Sequence, residues 1–151
     1  ELGARGGEGL DLGSLGNAYA ALGQVEEAVE LYEQALAIAR KIGDRRNQGI
    51  WLGNLGTAHV KLGRVVEAIP YFEQALAVSR EVGDRQTEIN HLYNRAESHK
   101  SQERRRSAMD YMEQAWMISE EVKSPRAEMA RARLEEWRGE DQGEKDAGDK
   151  E

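Results

Sequence analysis

The chain has 151 residues, of which 32% are charged and 39% hydrophobic, with a net charge of −7 and no cysteine. This composition excludes disulfides and thiolate metal sites, and the negative charge argues against a nucleic-acid partner. The absence of cysteine fits a cytoplasmic protein, and no apolar run approaches the roughly 18 residues that a membrane span needs.

The sequence repeats itself with a period of 40 residues. Residues 9–48 align without a gap to residues 49–88, and EQALAIARKIGDR at 33–45 lies over EQALAVSREVGDR at 73–85. A third copy, 89–124, is weaker but keeps the register. A fixed period of this length is typical of stacked helical repeats.

The first unit, about residues 4–43, reads as helix, tight turn, helix. Apolar and small residues recur at spacings of three and four in two stripes: Leu12, Leu15, Gly16 and Tyr19, then Ala28, Tyr32, Ala35, Leu36 and Ala39. Such stripes indicate amphipathic helices, and Gly23 between them is a helix stop. We expect the small residues Gly16 and Ala28 to let the two helix axes approach closely.

The start of the chain aligns with the end of a unit. ELG at 1–3 lies over KIG at 41–43, which predicts the last turn of a helix whose body lies upstream. We therefore expect residues 1–8 to be frayed or buried against a second molecule.

The second and third units follow at about 44–83 and 84–123. Their joints, Gly43-Asp44 and Gly83-Asp84, predict a C-terminal glycine followed by an N-cap aspartate. Ser124-Pro125 predicts the start of a capping helix over 124–138, with Met129, Leu134 and Trp137 as inward contacts. The remainder, 139–151, is acidic and almost without apolar residues, which predicts a disordered tail.

These columns resemble the tetratricopeptide repeat (TPR), whose pattern places a large apolar residue, Leu-Gly and Tyr on the first helix and Ala, an aromatic and Ala on the second. The matches are Leu12, Leu15, Gly16, Tyr19, Ala28, Tyr32 and Ala35, then Leu52, Leu55, Gly56, His59, Ala68, Phe72 and Ala75, then Leu92, Ala96, Ala108 and Ala115. The third copy departs most, with Arg95 in the Leu column.

The resemblance implies a right-handed all-α solenoid of antiparallel helix pairs spanning 1–138, three units and a cap. The 40-residue period is similar to the long-repeat subtype of Pins-like scaffolds and bacterial TPR regulators. HEAT repeats have a comparable period but lack the small-residue columns, so they are the weaker alternative.

No catalytic constellation, metal site or cofactor motif is evident, so we expect a non-enzymatic protein without cofactors. His59 and His99 share the column of Tyr19, which favours packing between helices over metal binding. GARGGEG has no following Lys-Ser or Lys-Thr, which argues against a phosphate loop. The run Arg104–Arg106 is a candidate contact for an acidic partner or for the chain's own acidic tail.

Binding of a protein or peptide is the favoured function. In stacked helix pairs the first helices line the concave side, and asparagine can both donate to and accept from an extended backbone. The candidate groove residues are Ser14, Asn17, Asn54, Thr57, Asn90, Tyr93, Asn94 and Glu97. Gly13 and Gly53 are expected to leave a bare floor on which a ligand backbone lies.

Two other functions fit the same pattern. The repeats would also serve as a regulatory or sensor arm of a multidomain bacterial switch protein. Alternatively, exposed repeat ends would drive homo-oligomerisation. Polar surface without any binding role is the alternative explanation of the asparagines and of Ser14.

Overall fold

The computed structural model describes residues 2–102 and 104–148, which form seven α-helices and no strand. The helices are α1 Leu2–Ala21, α2 Val25–Ile42, α3 Arg45–Lys61, α4 Val65–Val82, α5 Arg85–Ser101, α6 Arg105–Glu121 and α7 Arg126–Gly148. Helices α1 and α2, α3 and α4, and α5 and α6 pack in pairs, and each second helix also packs against the helix that follows it. The predicted all-α solenoid of helix pairs is confirmed.

Glycine and aspartate set the joints as predicted. Four glycines in the turns have φ between +69° and +80°, where a side chain would be strained: Gly23, Gly43, Gly63 and Gly83. Asp44 then accepts the backbone N–H of Asn47 at 3.1 Å, and Asp84 accepts that of Thr87 at 3.0 Å. Each carboxylate satisfies a backbone donor that the first helical turn leaves free.

The small residues inside α1 and α3 make room for aromatic rings. A Cβ added at Gly16 would lie 2.8 Å from Cε1 of Tyr32, and one at Gly56 would lie 2.6 Å from Cε1 of Phe72. No real Cβ tolerates such distances, so the glycine in this column lets the aromatic ring of the second helix pack directly against the first helix. Ala28 and its equivalents in the next two units are fully buried.

A second glycine column joins neighbouring units, and here the sequence prediction is wrong. Gly13 and Gly53 do not form a bare floor, because both are buried under a ring from the next unit. A Cβ at Gly13 would lie 2.1 Å from Cη2 of Trp51, and one at Gly53 would lie 2.3 Å from Cε1 of His91. These glycines serve packing between units, and no ligand backbone can reach them.

The divergent third unit still folds as a complete helix pair. Arg95, in the column of Leu55, pairs with Glu73 on α4 at 2.5 Å, and its guanidinium lies 4.1 Å from the centre of the Tyr111 ring on α6. The charge is therefore compensated, so the substitution does not break α5.

The last helix is longer than predicted, and one inward residue was predicted wrongly. Leu134 and Trp137 are buried, together with Ala127 and Ala130, but Met129 is 52% exposed. Helix α7 continues to Gly148, ten residues beyond the predicted boundary, so 139–148 is helical rather than a disordered tail. Composition did not show that Glu140, near the start of this segment, pairs with Lys100 and Arg105 of the third unit. Residues 149–151 lie outside the described residues.

The fraying predicted at the start of the chain is wrong from Leu2 onward, whereas the alternative, burial against a second molecule, stays a prediction. Helix α1 begins at Leu2 and runs without a turn at Gly3, and Gly3, Arg5, Gly7 and Glu8 are exposed. Residues 3–9 contain no Ser, Thr, Asp or Asn to cap a new helix, and α1 continues through their glycines. Glu1 lies outside the described residues.

Candidate functional site

The first helices of the three pairs, α1, α3 and α5, form the inner face of the solenoid, where α3 also touches α5. All eight predicted groove residues lie on these helices. Ser14, Asn17 and Thr57 are exposed, and Asn54, Asn90, Tyr93, Asn94 and Glu97 are half-buried. The structure divides them into two groups with different surroundings, one at α1 and α3 and one at α3 and α5.

Asn17 and Asn54 are joined in a short hydrogen-bonded chain. Oδ1 of Asn17 accepts from the Tyr32 hydroxyl at 2.8 Å and from Nδ2 of Asn54 at 3.1 Å. Burial raises the pKa of Tyr32, so its hydroxyl stays protonated and remains a donor. The Nδ2 group of Asn17 and the Oδ1 atom of Asn54 have no partner among the described residues, which leaves one donor and one acceptor for a ligand.

Three predicted residues line a cleft of about 320 Å³ between α3, α4 and α5. They are Thr57, Asn94 and Glu97. The remaining wall consists of residues that the sequence analysis did not select: Val60, Val65, Phe72, Ser98 and Ser101. The cleft therefore combines an apolar wall with polar groups on the opposite side, as binding sites for peptides commonly do.

The apolar wall of this cleft could have been found from the sequence. Val60 is the last residue but one of α3, lies outside the stripe that contains Leu52 and Leu55, and is 38% exposed. An apolar residue outside the buried stripe indicates a candidate contact surface, and a search for polar groove residues does not find it.

Helix α7 engages the third unit's end of the groove. Nε of Arg133 lies 2.8 Å from Oε1 of Glu97, and the guanidinium of Arg126 lies 5.8 Å from the centre of the Tyr93 ring. A hydrogen bond with the Tyr93 side chain is the largest of the contacts that raise the pKa of Arg133. Contacts with α7 therefore already use part of the binding capacity of Tyr93 and Glu97.

Asn90 lies beside a buried histidine on α5. Its Oδ1 atom is buried and has no hydrogen-bond partner in the described part of the chain. Burial lowers the pKa of His91 to about 4, so that imidazole is neutral at physiological pH. Ser14 is exposed on α1, outside the 320 Å³ cleft.

The basic turn of the third unit contacts the chain's own last helix. Lys100 and Arg105 both pair with Glu140 of α7, the latter at 3.2 Å. Lys100 also lies 5.5 Å from the centre of the Trp137 ring. Of the two candidate contacts for this turn, the structure contains the one with the acidic C-terminal segment.

Histidines occupy packing positions. His59 and His99 are buried, and their rings lie 5.0 Å and 5.2 Å from those of Tyr71 and Tyr111. Within residues 2–102 and 104–148, no group of three or more His, Asp or Glu side chains is arranged to hold a metal ion.

The family of the chain follows from its sequence. The model of the tetratricopeptide repeat matches residues 10–77 and 50–120, which together span most of the chain. The chain belongs to the TPR family. TPR proteins are in general non-enzymatic scaffolds for protein–protein interaction. No curated protein matches this TPR chain significantly.

Several solved TPR structures share the fold. Aspartyl phosphate phosphatase F from Bacillus subtilis matches with a TM-score of 0.79 at 18% identity, over 96% of this chain and 42% of that one. The Sgt2 TPR domain from Aspergillus fumigatus gives 0.70 at 21% identity, over 89% and 80%. TPR-like repeats assigned to a kinesin light chain of Podosopora anserina give 0.71 at 23% identity, over 84% and 64%.

These likenesses establish the fold of the TPR chain. The chain spans less than two thirds of the length of the kinesin light chain and phosphatase structures. Among the helices that the structure describes, none has the length and apolar character needed to cross a bilayer.

Proposed function

We propose that this TPR chain is a protein-interaction module that binds an extended or helical segment of a partner protein along its inner face. The observation that carries the proposal is the cleft between α3, α4 and α5. Val60, Val65 and Phe72 offer an apolar wall for a side chain, and Asn94 offers an amide opposite them. A peptide that enters there gains both burial and hydrogen bonds.

The Asn17–Asn54 pair extends this binding surface toward α1. Because Oδ1 of Asn17 accepts hydrogen bonds from Tyr32 and Asn54, the orientation of its Nδ2 group is fixed. The Oδ1 atom of Asn54 provides the complementary acceptor. A donor and an acceptor side by side match the C=O and N–H of one peptide unit. The pair would therefore bind the backbone of a partner peptide whatever its side chains are.

Selection from a displayed library of random twelve-residue peptides, followed by isothermal titration of the selected peptide, tests this proposal. Asn54→Ala and Val60→Glu are expected to weaken binding about ten-fold each, since each removes roughly 1.4 kcal/mol of hydrogen bonding or apolar contact. Asn54→Ala is preferable to Asn17→Ala because Asn17 also holds the Tyr32 hydroxyl.

Glu27→Gln is the matched control, because Glu27 is exposed on α2 and lines neither cleft. Equal affinity in wild type, Asn54→Ala and Val60→Glu would exclude the inner face as the binding site. Failure to select any peptide would argue against recognition of a short segment.

Self-association is the second candidate, and one surface favours it. Leu10 and Leu15 on α1 are 47% and 48% exposed, whereas Leu55, in the Leu15 column, is fully buried. An exposed apolar face of this kind suits another helix pair. Light scattering over a hundred-fold concentration range tests it, since a constant monomer mass would exclude self-association.

A further inference from the structure

A second cleft lies on the opposite side of α3 from the groove. Helices α2, α3 and α4 enclose about 680 Å³ there. Leu36, Leu55 and the Tyr71 ring form apolar parts of its lining, and Glu33 and Glu67 contribute carboxylates. Nε2 of His59, another lining residue, is buried without a hydrogen-bond partner in the described part of the chain. The combination of aromatic ring, carboxylates and unfilled space indicates a site for a cation.

The same arrangement of a carboxylate and a tyrosine ring recurs 40 residues later, and there an arginine of the chain itself lies between them. In the third unit the Arg95 side chain is only 14% exposed and pairs with Glu73 at 2.5 Å. Its guanidinium lies 4.1 Å from the centre of the Tyr111 ring. Carboxylate and ring thus fix the guanidinium from two sides.

The first of the two clefts has the same receptor groups but lacks the cation. Forty residues separate Glu33 from Glu73, and likewise Tyr71 from Tyr111. The position of Arg95, however, is taken by Leu55, whose side chain is shorter and carries no charge. The carboxylate and the phenol ring that would hold a guanidinium are in place around the space that Leu55 leaves unfilled.

We propose that the cleft between α2, α3 and α4 binds an arginine side chain of a partner protein. The guanidinium stacks on Tyr71 and pairs with Glu33, as Arg95 does one unit later. Glu67 adds a second carboxylate, where the third unit has Ser107. This site is distinct from the inner groove and does not depend on it.

Arginine fits better than lysine or an apolar side chain. A planar guanidinium stacks on a ring and donates to a carboxylate at the same time, whereas an ammonium is a compact, more strongly hydrated charge. An apolar side chain would leave Glu33 without a charged partner, whereas Glu67 lies 3.4 Å from Nδ1 of His59. The one cation on the rim, Arg40, donates to Oε1 of Gln74 at 3.3 Å, and the two carboxylates exceed its charge.

Nuclear magnetic resonance titration with N-acetyl-arginine amide tests the proposal directly. At low ionic strength, where ion pairs are least screened, we expect saturable shifts confined to the amides of α2, α3 and α4 around Tyr71. N-acetyl-citrulline amide, which has the same shape without the charge, is the control ligand and is expected to produce no saturable shift. Equal shifts with both compounds, or shifts spread over the whole chain, would overturn the proposal.

Variants locate the site. Glu33→Gln is expected to weaken binding of the arginine probe about three- to five-fold, the range of a partly exposed ion pair. Glu27→Gln, on the same helix but outside the cleft, is expected to leave it unchanged. An unaltered affinity in Glu33→Gln would exclude this cleft.

Leu55→Arg provides an internal ligand. Where circular dichroism shows that this variant is folded, its own guanidinium is expected to occupy the cleft and abolish the shifts at Tyr71. Persistent shifts in the folded variant would contradict the proposal. Should Leu55→Arg not fold, the Glu33→Gln titration decides, since Glu33 is exposed and its replacement leaves the core intact.

Discussion

The indole ring of Trp51 packs directly on the backbone of Gly13, so that a Cβ at Gly13 would lie 2.1 Å from Cη2 of the indole. Trp51 is almost fully buried by this contact. One unit later His91 packs on Gly53 in the same way. Successive units are therefore joined through a ring and a glycine, a contact that no unit can make alone.

Gly13→Ala is expected to lower the free energy of unfolding by about 1–2 kcal/mol. The displaced indole costs roughly 1–3 kcal/mol of overpacking, and the better helix propensity of alanine returns up to about 1 kcal/mol. Gly7→Ala in the same helix is the control, since Gly7 is exposed and has no atom within 4 Å of an added Cβ. Urea denaturation should show Gly7→Ala as stable as wild type or more so. A Gly13→Ala protein of equal stability would contradict the packing role.

The sequence was sufficient to predict the helix pairs, because their signals are local. Apolar spacing within one unit defines each helix, and Gly43-Asp44 marks a joint by the backbone needs of two adjacent residues. The role of Gly13 could not be read in this way. Its partner is 38 positions along the chain, and nothing within the first unit shows that an indole will cover it.

The groove was predicted as a set of positions and not as a set of interactions. The sequence placed Asn17, Thr57 and Glu97 on first helices, where the structure has them. It could not show that Tyr32 holds Asn17 or that Arg133 reaches Glu97, because these contacts depend on how one helix rotates against the next. Their binding role stays a prediction.

His91 is expected to make stability depend on pH. Its pKa in the folded protein is about 4, against an ordinary value of 6.5, because burial disfavours the charged form. Below pH 6.5 the unfolded chain binds a proton that the folded chain does not, so stability falls with pH until about 4. Between pH 7.5 and 5 the loss due to this residue is about 2 kcal/mol.

His91→Phe isolates that contribution, since it keeps an aromatic ring over Gly53 and removes the titrating group. Nearby Asp84 stays charged over this range because its pKa is lowered, mainly by the backbone N–H of Thr87. Urea denaturation at several pH values should therefore show a smaller loss in the variant than in wild type. Parallel pH profiles would mean that the imidazole has the same pKa in the folded and unfolded chain, which would contradict the prediction.

Removing the charge of Glu88 is expected to lower the free energy of unfolding less than removing its partner Arg80. Its buried carboxylate receives hydrogen bonds from Arg80 at 2.8 Å and Arg85 at 2.9 Å. Gln48 holds the same column in the second unit and accepts from Arg45 at 2.7 Å. Glu88→Gln should therefore change the free energy of unfolding by less than about 1 kcal/mol.

Arg80→Met, in contrast, leaves the buried carboxylate with one partner and should cost about 1–3 kcal/mol. A double-mutant cycle in urea compares the two, and the cost of Arg80→Met should shrink when Glu88 is already Gln. Additive costs would show that Arg80 contributes through its contact with Gln114 instead.

Trp137 is expected to be the residue through which α7 stabilises the solenoid. Its ring is 2% exposed and belongs to the cluster that covers Ala96, Ala108 and Met112, the open face of the last helix pair. Trp137→Ala would leave a cavity on that face and should cost about 3 kcal/mol or more. Met129→Ala is the control, because Met129 is 52% exposed on the same helix and should cost less than about 1 kcal/mol. Equal melting temperatures of Trp137→Ala and Met129→Ala would contradict this role. They would mean that α5 and α6 are stable without the contact to Trp137.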